Sequence, residues 1–483
     1  MHNIHIIDVS IIILYFVVCI GIGYKYKSIK TIEEYTLGGR NFPDLVIITT
    51  IFATAVGASS TVGVVEKVYT LGVFFAIYPI AEALLMWLVT SKIYCKNINQ
   101  FHDCISISDI MAKLYGKAGR WGTNIASVIV SISVITAQTT AMGYLLHYFF
   151  LIPVYYGTII STLILALYSA FGGVRAVAYT DVFQFIILML AIPASCVIAY
   201  GMESGGGIVH WHRVWDQLPK EMITLNLNKD NIWLFLSFIF YSLIPHAEGT
   251  FVQRFLLARN DKQLVKCIGV VIPLNIFFVM AVSLIGFLIK AKASDIDPTT
   301  AFFYFVTNYL VIGVKGLVIA GLLAVIMSTA DSWLNTTSTL VANDIILPLV
   351  PMTEKKVLII ARCATFIIAI LSILLSLSGK GIMELNWLAG NFWEPLVILP
   401  LAAGFLKFWT NFKSFIAPVM LAITFACISA CIIGDFSTVS LMCGMIGSAI
   451  GLFGMHHWQK RQGIDPAAKH KKTSCCYRRE RTS

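Results

Sequence analysis

Residues 121–174 read WGTNIASVIVSISVITAQTTAMGYLLHYFFLIPVYYGTIISTLILALYSAFGGV, 54 residues without a single Asp, Glu, Lys or Arg. A transmembrane helix needs about 20 apolar residues, so this stretch holds two spans with a tight turn at Pro153. Only helices and closed barrels satisfy their backbone in lipid, and barrel strands alternate over about ten residues. A continuously apolar run is therefore helical. Further charge-free runs occupy 182–202, 231–247, 267–289, 316–330, 363–379, 414–434 and 436–459.

Composition agrees. Of 483 residues, 58% are hydrophobic and 12% charged, against about 25% charged in soluble domains. That balance excludes an ordinary soluble enzyme, a disordered chain and a disulfide scaffold. The 11 cysteines lie mostly inside apolar runs and read as small core hydrophobes. The start, Met1 to Asp8, lacks the basic region of a signal peptide, so residues 5–23 are expected to be a retained first span.

The pattern predicts an all-α polytopic membrane protein of about 13 spans: 5–23, 45–65, 72–91, 121–149, 154–171, 181–201, 231–252, 267–289, 312–340, 357–377, 384–405, 414–434 and 437–458. With the N-terminus outside, 26 of the 35 Lys and Arg fall on the cytoplasmic side and 7 on the other. The positive-inside rule thus orients the chain N-out and C-in, in a plasma (inner) membrane. The net charge of +10 reads as cytoplasmic-face charge beside anionic lipid. The partners expected are the bilayer and a small solute, with no nucleic acid. Residues 1–30 would hold a peripheral first span, 31–405 the core, 406–458 two peripheral spans and 459–483 a basic cytoplasmic tail.

Two spans are expected to break. The second contains Thr54-Ala55-Val56-Gly57-Ala58-Ser59-Ser60-Thr61-Val62-Gly63, small and hydroxylated throughout. The seventh contains Tyr241-Ser242-Leu243-Ile244-Pro245-His246, where Pro245 removes a backbone N–H and clashes with the Tyr241 carbonyl. Transporters place their sites where helices unwind; a simple kink or a helix-packing contact is the alternative. The two breaks start corresponding five-helix halves, about 45–201 and 231–405, on opposite sides of the membrane, as an inverted repeat requires.

The ninth span carries a polar stripe of Ser328, Asp331 or Ser332, Asn335 and Thr339 at helical spacing. An ionisable residue such as Asp331 within a span is a functional candidate; structural pairing is the alternative. No metal-ligand spacing, phosphate loop or catalytic triad pattern is present, so no enzyme activity and no organic cofactor are expected.

These residues resemble the sodium:solute symporter family, which includes the proline, pantothenate and sodium/glucose symporters. The resemblance rests on Met327 to Ser332 followed by Asn335 and Asp344, and on Tyr168, Gly172, Gly173, Ala176, Val177, Thr180, Asp181 and Gln184. It rests also on Pro245-His246 with Gln253-Arg254-Phe255, and on Gly57-Ala58-Ser59. It implies an inverted five-plus-five helix core like the leucine-transporter fold. It further implies a Na⁺ site made of the Ala58, Thr61 and Val325 carbonyls with the Ser328 and Thr329 hydroxyls.

Many members have an acidic residue where this chain has Ser60. Asp181 matches the family acid linked with the ion's path, and Asp331 is a second candidate there; a helix N-cap is the alternative for Asp181. Gly57, Ser60, Gln138, Tyr241 and Pro245 are the candidates for solute contact. The implied activity is Na⁺-coupled symport of a small organic solute, with neutral amino acids such as proline leading. A proton-coupled carrier on the same fold is the alternative. A membrane sensor is a weaker one, because only 25 residues follow the last span.

Overall fold

The computed structural model describes residues 4–26, 29–203, 212–225, 232, 236, 239–240, 242–244, 247–377, 390–391, 393–408, 410–411, 413–434 and 436–464. Among the described residues every regular element is helical. The principal helices are α1 (Ile6–Lys25), α2 (Ile32–Leu37), α3 (Asp44–Ala55), α4 (Val64–Leu71), α5 (Tyr78–Ile93), α6 (Ile107–Phe150) and α7 (Val154–Glu203). They continue with α8 (Gly249–Leu256), α9 (Asp261–Lys292), α10 (Ala301–Tyr309), α11 (Val314–Leu340), α12 (Glu354–Ser376), α13 (Leu399–Phe405), α14 (Lys413–Ile433) and α15 (Thr438–Arg461). Nine described segments are long and apolar enough to cross a membrane, and the bent pair α3–α4 makes a tenth. The expected seventh and eleventh spans are described only in part, and Tyr241 and Pro245 lie outside the described residues.

The 50-residue α7 is two helices that meet at Gly173, whose φ is +55°. A β-carbon there would lie 2.7 Å from Ile29 and 2.9 Å from Tyr35, so both conformation and space demand glycine. The preceding Gly172 lets Gly23 of α1 approach, its would-be β-carbon 3.3 Å from the Gly23 carbonyl. The paired glycines after Tyr168 therefore separate the expected spans 154–171 and 181–201 and seat α1 against them.

Burial orders the bundle. The α11 span is 94% buried, whereas α1 and α14 are each 28% buried. The outer helices present Ile13, Leu14, Val17 and Ile432 outward, an apolar surface suited to lipid. The axis of the molecule is thus the helix that carries the polar stripe.

α1 is peripheral, yet it is pinned to that axis. The Asp8 carboxylate accepts from the Gly313 N–H at 2.7 Å and the Gly316 N–H at 2.8 Å. It caps the α11 N-terminus, where free amides and the helix dipole favour an anion. A β-carbon on Gly316 would lie 2.5 Å from the Asp8 Cα. Deeper in, Gln184 of α7 donates to the Tyr15 hydroxyl at 2.9 Å, and that hydroxyl donates to the Met327 Sδ at 3.5 Å. Asp8→Ala leaves buried amides without an acceptor and should cost about 1–3 kcal/mol. Thermal unfolding in detergent should therefore show a lower midpoint; an unchanged midpoint would remove α1 from the account of α11 positioning.

Candidate functional site

The expected break in the second span is present. α3 stops at Ala55, Val56 is extended (φ −103°, ψ 115°), and a wide turn over Ser59–Gly63 starts the next segment. The two halves meet at 64°. A helix that stops inside a bundle leaves its last four carbonyls without intrahelical partners, at the negative end of its dipole. In α3 the Phe52 carbonyl still accepts from the Val56 N–H at 3.0 Å, and the Ala53 carbonyl beyond it meets α11.

There the hydroxyl pair meets them. Ser328 Oγ lies 3.2 Å from the Ala53 carbonyl and Thr329 Oγ1 lies 3.0 Å from the Val56 carbonyl. Both hydroxyls also reach the Val325 carbonyl, at 3.0 and 3.2 Å. Five neutral oxygens from two helices thus converge. Beside them lies a cavity of about 10 Å³ lined by Ala53, Val56, Gln184, Val325 and Ser328, close to the volume that one water needs. Hard cations take oxygen ligands, so this donor set fits an alkali ion.

The residues named from sequence come together here, with one difference in the carbonyls. The Ala58 carbonyl accepts from the Gly63 N–H at 3.1 Å, and the Thr61 hydroxyl donates to the Gly57 carbonyl at 3.0 Å. The Thr61 carbonyl accepts from the Val64 N–H. In this conformation Ala58 and Thr61 knit the turn together, while Ala53 and Val56 touch the hydroxyls. Ser60 belongs to the same knot, its Oγ accepting from the Gly57 N–H at 2.8 Å.

Gln138 of α6 reaches the break from a third side. Its Oε1 accepts from the Ala58 N–H at 3.3 Å, replacing the helix partner which that amide has lost. Gly57 is wedged between: a β-carbon would lie 3.2 Å from Thr329 Oγ1 and 3.3 Å from Gln138 Nε2. Gln138→Leu should orphan the Ala58 amide at a cost of about 1–3 kcal/mol. The expected result is roughly a tenfold or greater loss of sodium affinity with the fold retained, read from sodium titrations of thermal stability; an unaltered titration would detach Gln138 from the break.

Below the hydroxyl pair, the α11 stripe is engaged at every polar position. Asp331 is fully buried and accepts from Tyr168 Oη at 2.7 Å. Asp181 is fully buried in α7 and accepts from Thr50 Oγ1 of α3 at 2.5 Å. The N-cap alternative for Asp181 fails, because its helix runs on from Gly173 through Glu203. Arg254, also fully buried, donates to Ser332 Oγ at 2.6 Å and to Gln253 Oε1 at 3.2 Å. Thr50, Gln253 and Arg254 were not among the candidate site residues; the Gln253-Arg254-Phe255 string that carries part of the resemblance was the signal available for two of them.

With the site described, known proteins can be set beside it. The model of the sodium:solute symporter family matches residues 35–414. The sodium/proline symporter 2 of Staphylococcus saprophyticus is 26% identical over 427 residues, covering 81% of this chain and 80% of that protein. The sodium/glucose cotransporter of Vibrio parahaemolyticus is 23% identical over 380 residues, covering 71% and 69%. The sodium/pantothenate symporter of Escherichia coli is 23% identical over 416 residues, covering 81% and 84%. Among solved structures, a Na⁺-coupled sialic acid symporter in a substrate-bound outward-open state superposes with a TM-score of 0.79 at 18% identity, over 92% of this chain and 96% of that one. A nucleobase-cation-symport-1 family transporter in a closed conformation gives a TM-score of 0.58 at 11% identity, over 88% and 94%. These likenesses show the leucine-transporter type of fold. The α-helical bundle and the family match together make this an integral membrane transporter rather than an enzyme: the chain belongs to the sodium:solute symporter family.

Proposed function

We propose that the protein imports a small neutral organic solute together with one Na⁺ by alternating access, a neutral amino acid such as proline being the leading solute. The observation that carries this reading is the contact of Ser328 and Thr329 with the Ala53 and Val56 carbonyls at the end of the broken helix. Na⁺ is a substrate here, held by neutral oxygens, so it keeps its charge and feels the membrane potential. Its ligands are the hydroxyls of Ser328 and Thr329 and the Val325 carbonyl, with the carbonyls of the break: Ala53 and Val56 in this conformation, Ala58 and Thr61 in another state of the cycle. An ion that bridges α3 and α11 fixes the shape of the break. Gly57, Ser60 and Gln138, joined by Tyr241 and Pro245 of the second half, would then face the solute. Asp181 and Asp331 line the ion's way out.

The proline preference rests on the staphylococcal sodium/proline relative. The basic loops support an N-terminus outside and a C-terminus in the cytoplasm, with 31–405 as the core and 45–201 and 231–405 as its inverted halves. One charge moved through about 100 mV yields roughly 2.3 kcal/mol, and a tenfold sodium gradient adds about 1.4 kcal/mol. Together these sustain a solute gradient of roughly several hundredfold.

The test is uptake into right-side-out vesicles of radiolabelled proline, other neutral amino acids, sugars and carboxylates, with an inward gradient of Na⁺, of K⁺ or of H⁺. Accumulation of one solute under the sodium gradient alone is expected. Accumulation driven by a proton gradient without sodium would replace this reading with a proton-coupled carrier.

A further inference from the structure

The polar stripe of α11 continues beyond the hydroxyl pair, and α2 and α8 cover it residue by residue. Arg254 Nη2 donates to Ser332 Oγ at 2.6 Å. The Gln253 amide donates to Asn335 Oδ1 at 3.2 Å and to the Thr36 carbonyl at 3.0 Å, while its Oε1 accepts from Thr336 Oγ1 at 2.6 Å. Thr36 Oγ1 donates to Thr339 Oγ1 at 3.3 Å. Gln253, Arg254, Thr36, Asn335 and Thr339 are all buried. A stripe suited to pass an ion toward the basic face is thus closed by two short helices, and its polar closing contacts are hydrogen bonds that can be exchanged for water.

Charge bookkeeping adds a second observation. Arg254 is fully buried and lies within electrostatic range of both Asp181 and Asp331, without ion-pair contact to either. Among the described residues, one oxygen of each carboxylate and the Arg254 Nε have no hydrogen-bond partner. Buried charges require compensation, and one guanidinium faces two carboxylates.

We propose that Gln253 and Arg254 of α8 form the cytoplasmic plug of the ion path, with Arg254 a tethered cation that balances Asp181 and Asp331 while the path is closed. When α8 moves away, the guanidinium leaves with it. The two carboxylates then face the exit uncovered and draw Na⁺ off its neutral site toward the cytoplasm. Guanidinium and sodium occupy the same field in turn, so release is tied to opening. The direction of release rests on the orientation and alternating-access reading above; the plug itself rests on the contacts alone.

The test starts from Thr339→Cys in a background without other reactive thiols. Thr339 is 1% exposed and lies under the plug. In inside-out vesicles a membrane-impermeant maleimide should label it slowly, and Gln253→Ala should speed labelling at least tenfold. An equal rate in both would overturn the plug. Labelling needs neither solute nor sodium, so its result stands apart from any failure of sodium-driven uptake. Charge is tested separately in the transport-competent protein. Arg254→Gln should lose sodium-driven uptake at least tenfold, Arg254→Lys should retain most of it, and Arg254→Gln with Asp331→Asn should recover yield and solute exchange severalfold over Arg254→Gln alone. Equal loss in the lysine and glutamine variants, with no gain from Asp331→Asn, would show that Arg254 serves packing and would overturn the tethered-cation role.

Discussion

Ser328→Ala combined with Thr329→Ala should abolish sodium-stimulated uptake while yield and helix content stay at parent levels. Both hydroxyls contact the α3 carbonyls and both contact Val325. A hydrogen-bond-strength interaction with a charged group is worth about 1.5–3 kcal/mol. Two lost ligands thus lower sodium affinity by roughly 10²–10⁴-fold. The fold is expected to survive because the alanines remove only a hydroxyl at 328 and a hydroxyl and a methyl at 329, and the α11 backbone bonds are untouched. Ser328→Thr and Thr329→Ser keep the oxygens and should keep the dependence. Normal sodium stimulation in the double alanine variant would refute the ion site. Initial uptake rates over a sodium titration are the measurement.

Asp181→Asn is expected to lower the maximal uptake rate at least tenfold, with a smaller change in solute affinity. The carboxylate is fully buried and accepts from Thr50 on α3, so it ties the ion-binding half-helix to α7. It also lies within electrostatic range of the Arg254 charge. Asparagine keeps an acceptor for Thr50 and removes the charge; the loss of one charged hydrogen bond is worth about 1.5–3 kcal/mol, or roughly 10–150-fold. Because Asp181 lies off the five-oxygen cluster, the loss belongs to ion movement rather than to solute binding. A maximal rate equal to the parent's, at matched protein level, would take Asp181 out of the ion path.

The sequence carried the parts of the site that local chemistry determines. The Gly57 break, the hydroxyl pair and the stripe through Thr339 were legible because glycine, hydroxyl and helical spacing are properties of short segments. The coordinating carbonyls were harder to read, since they depend on the residue at which α3 stops. That end falls at Ala55, one turn earlier than the small-residue run suggests, which brings Ala53 and Val56 to the hydroxyls. Ser60, named from sequence as a candidate for solute contact, closes on the Gly57 backbone in this structure. The plug was illegible because Arg254 meets Ser332 across 78 positions, and nothing in either segment announces the other. Gly173 shows the reverse case: two adjacent glycines gave no sign of which would break the helix, and the space beside Tyr35 decides it.

Direct binding of ²²Na⁺ to the purified protein tests the central contact between α3 and α11 without depending on the solute. A single saturable sodium site is predicted in the parent, lost in Ser328→Ala/Thr329→Ala and retained in Ser328→Thr. Equal binding by the parent and the double alanine variant would contradict the account.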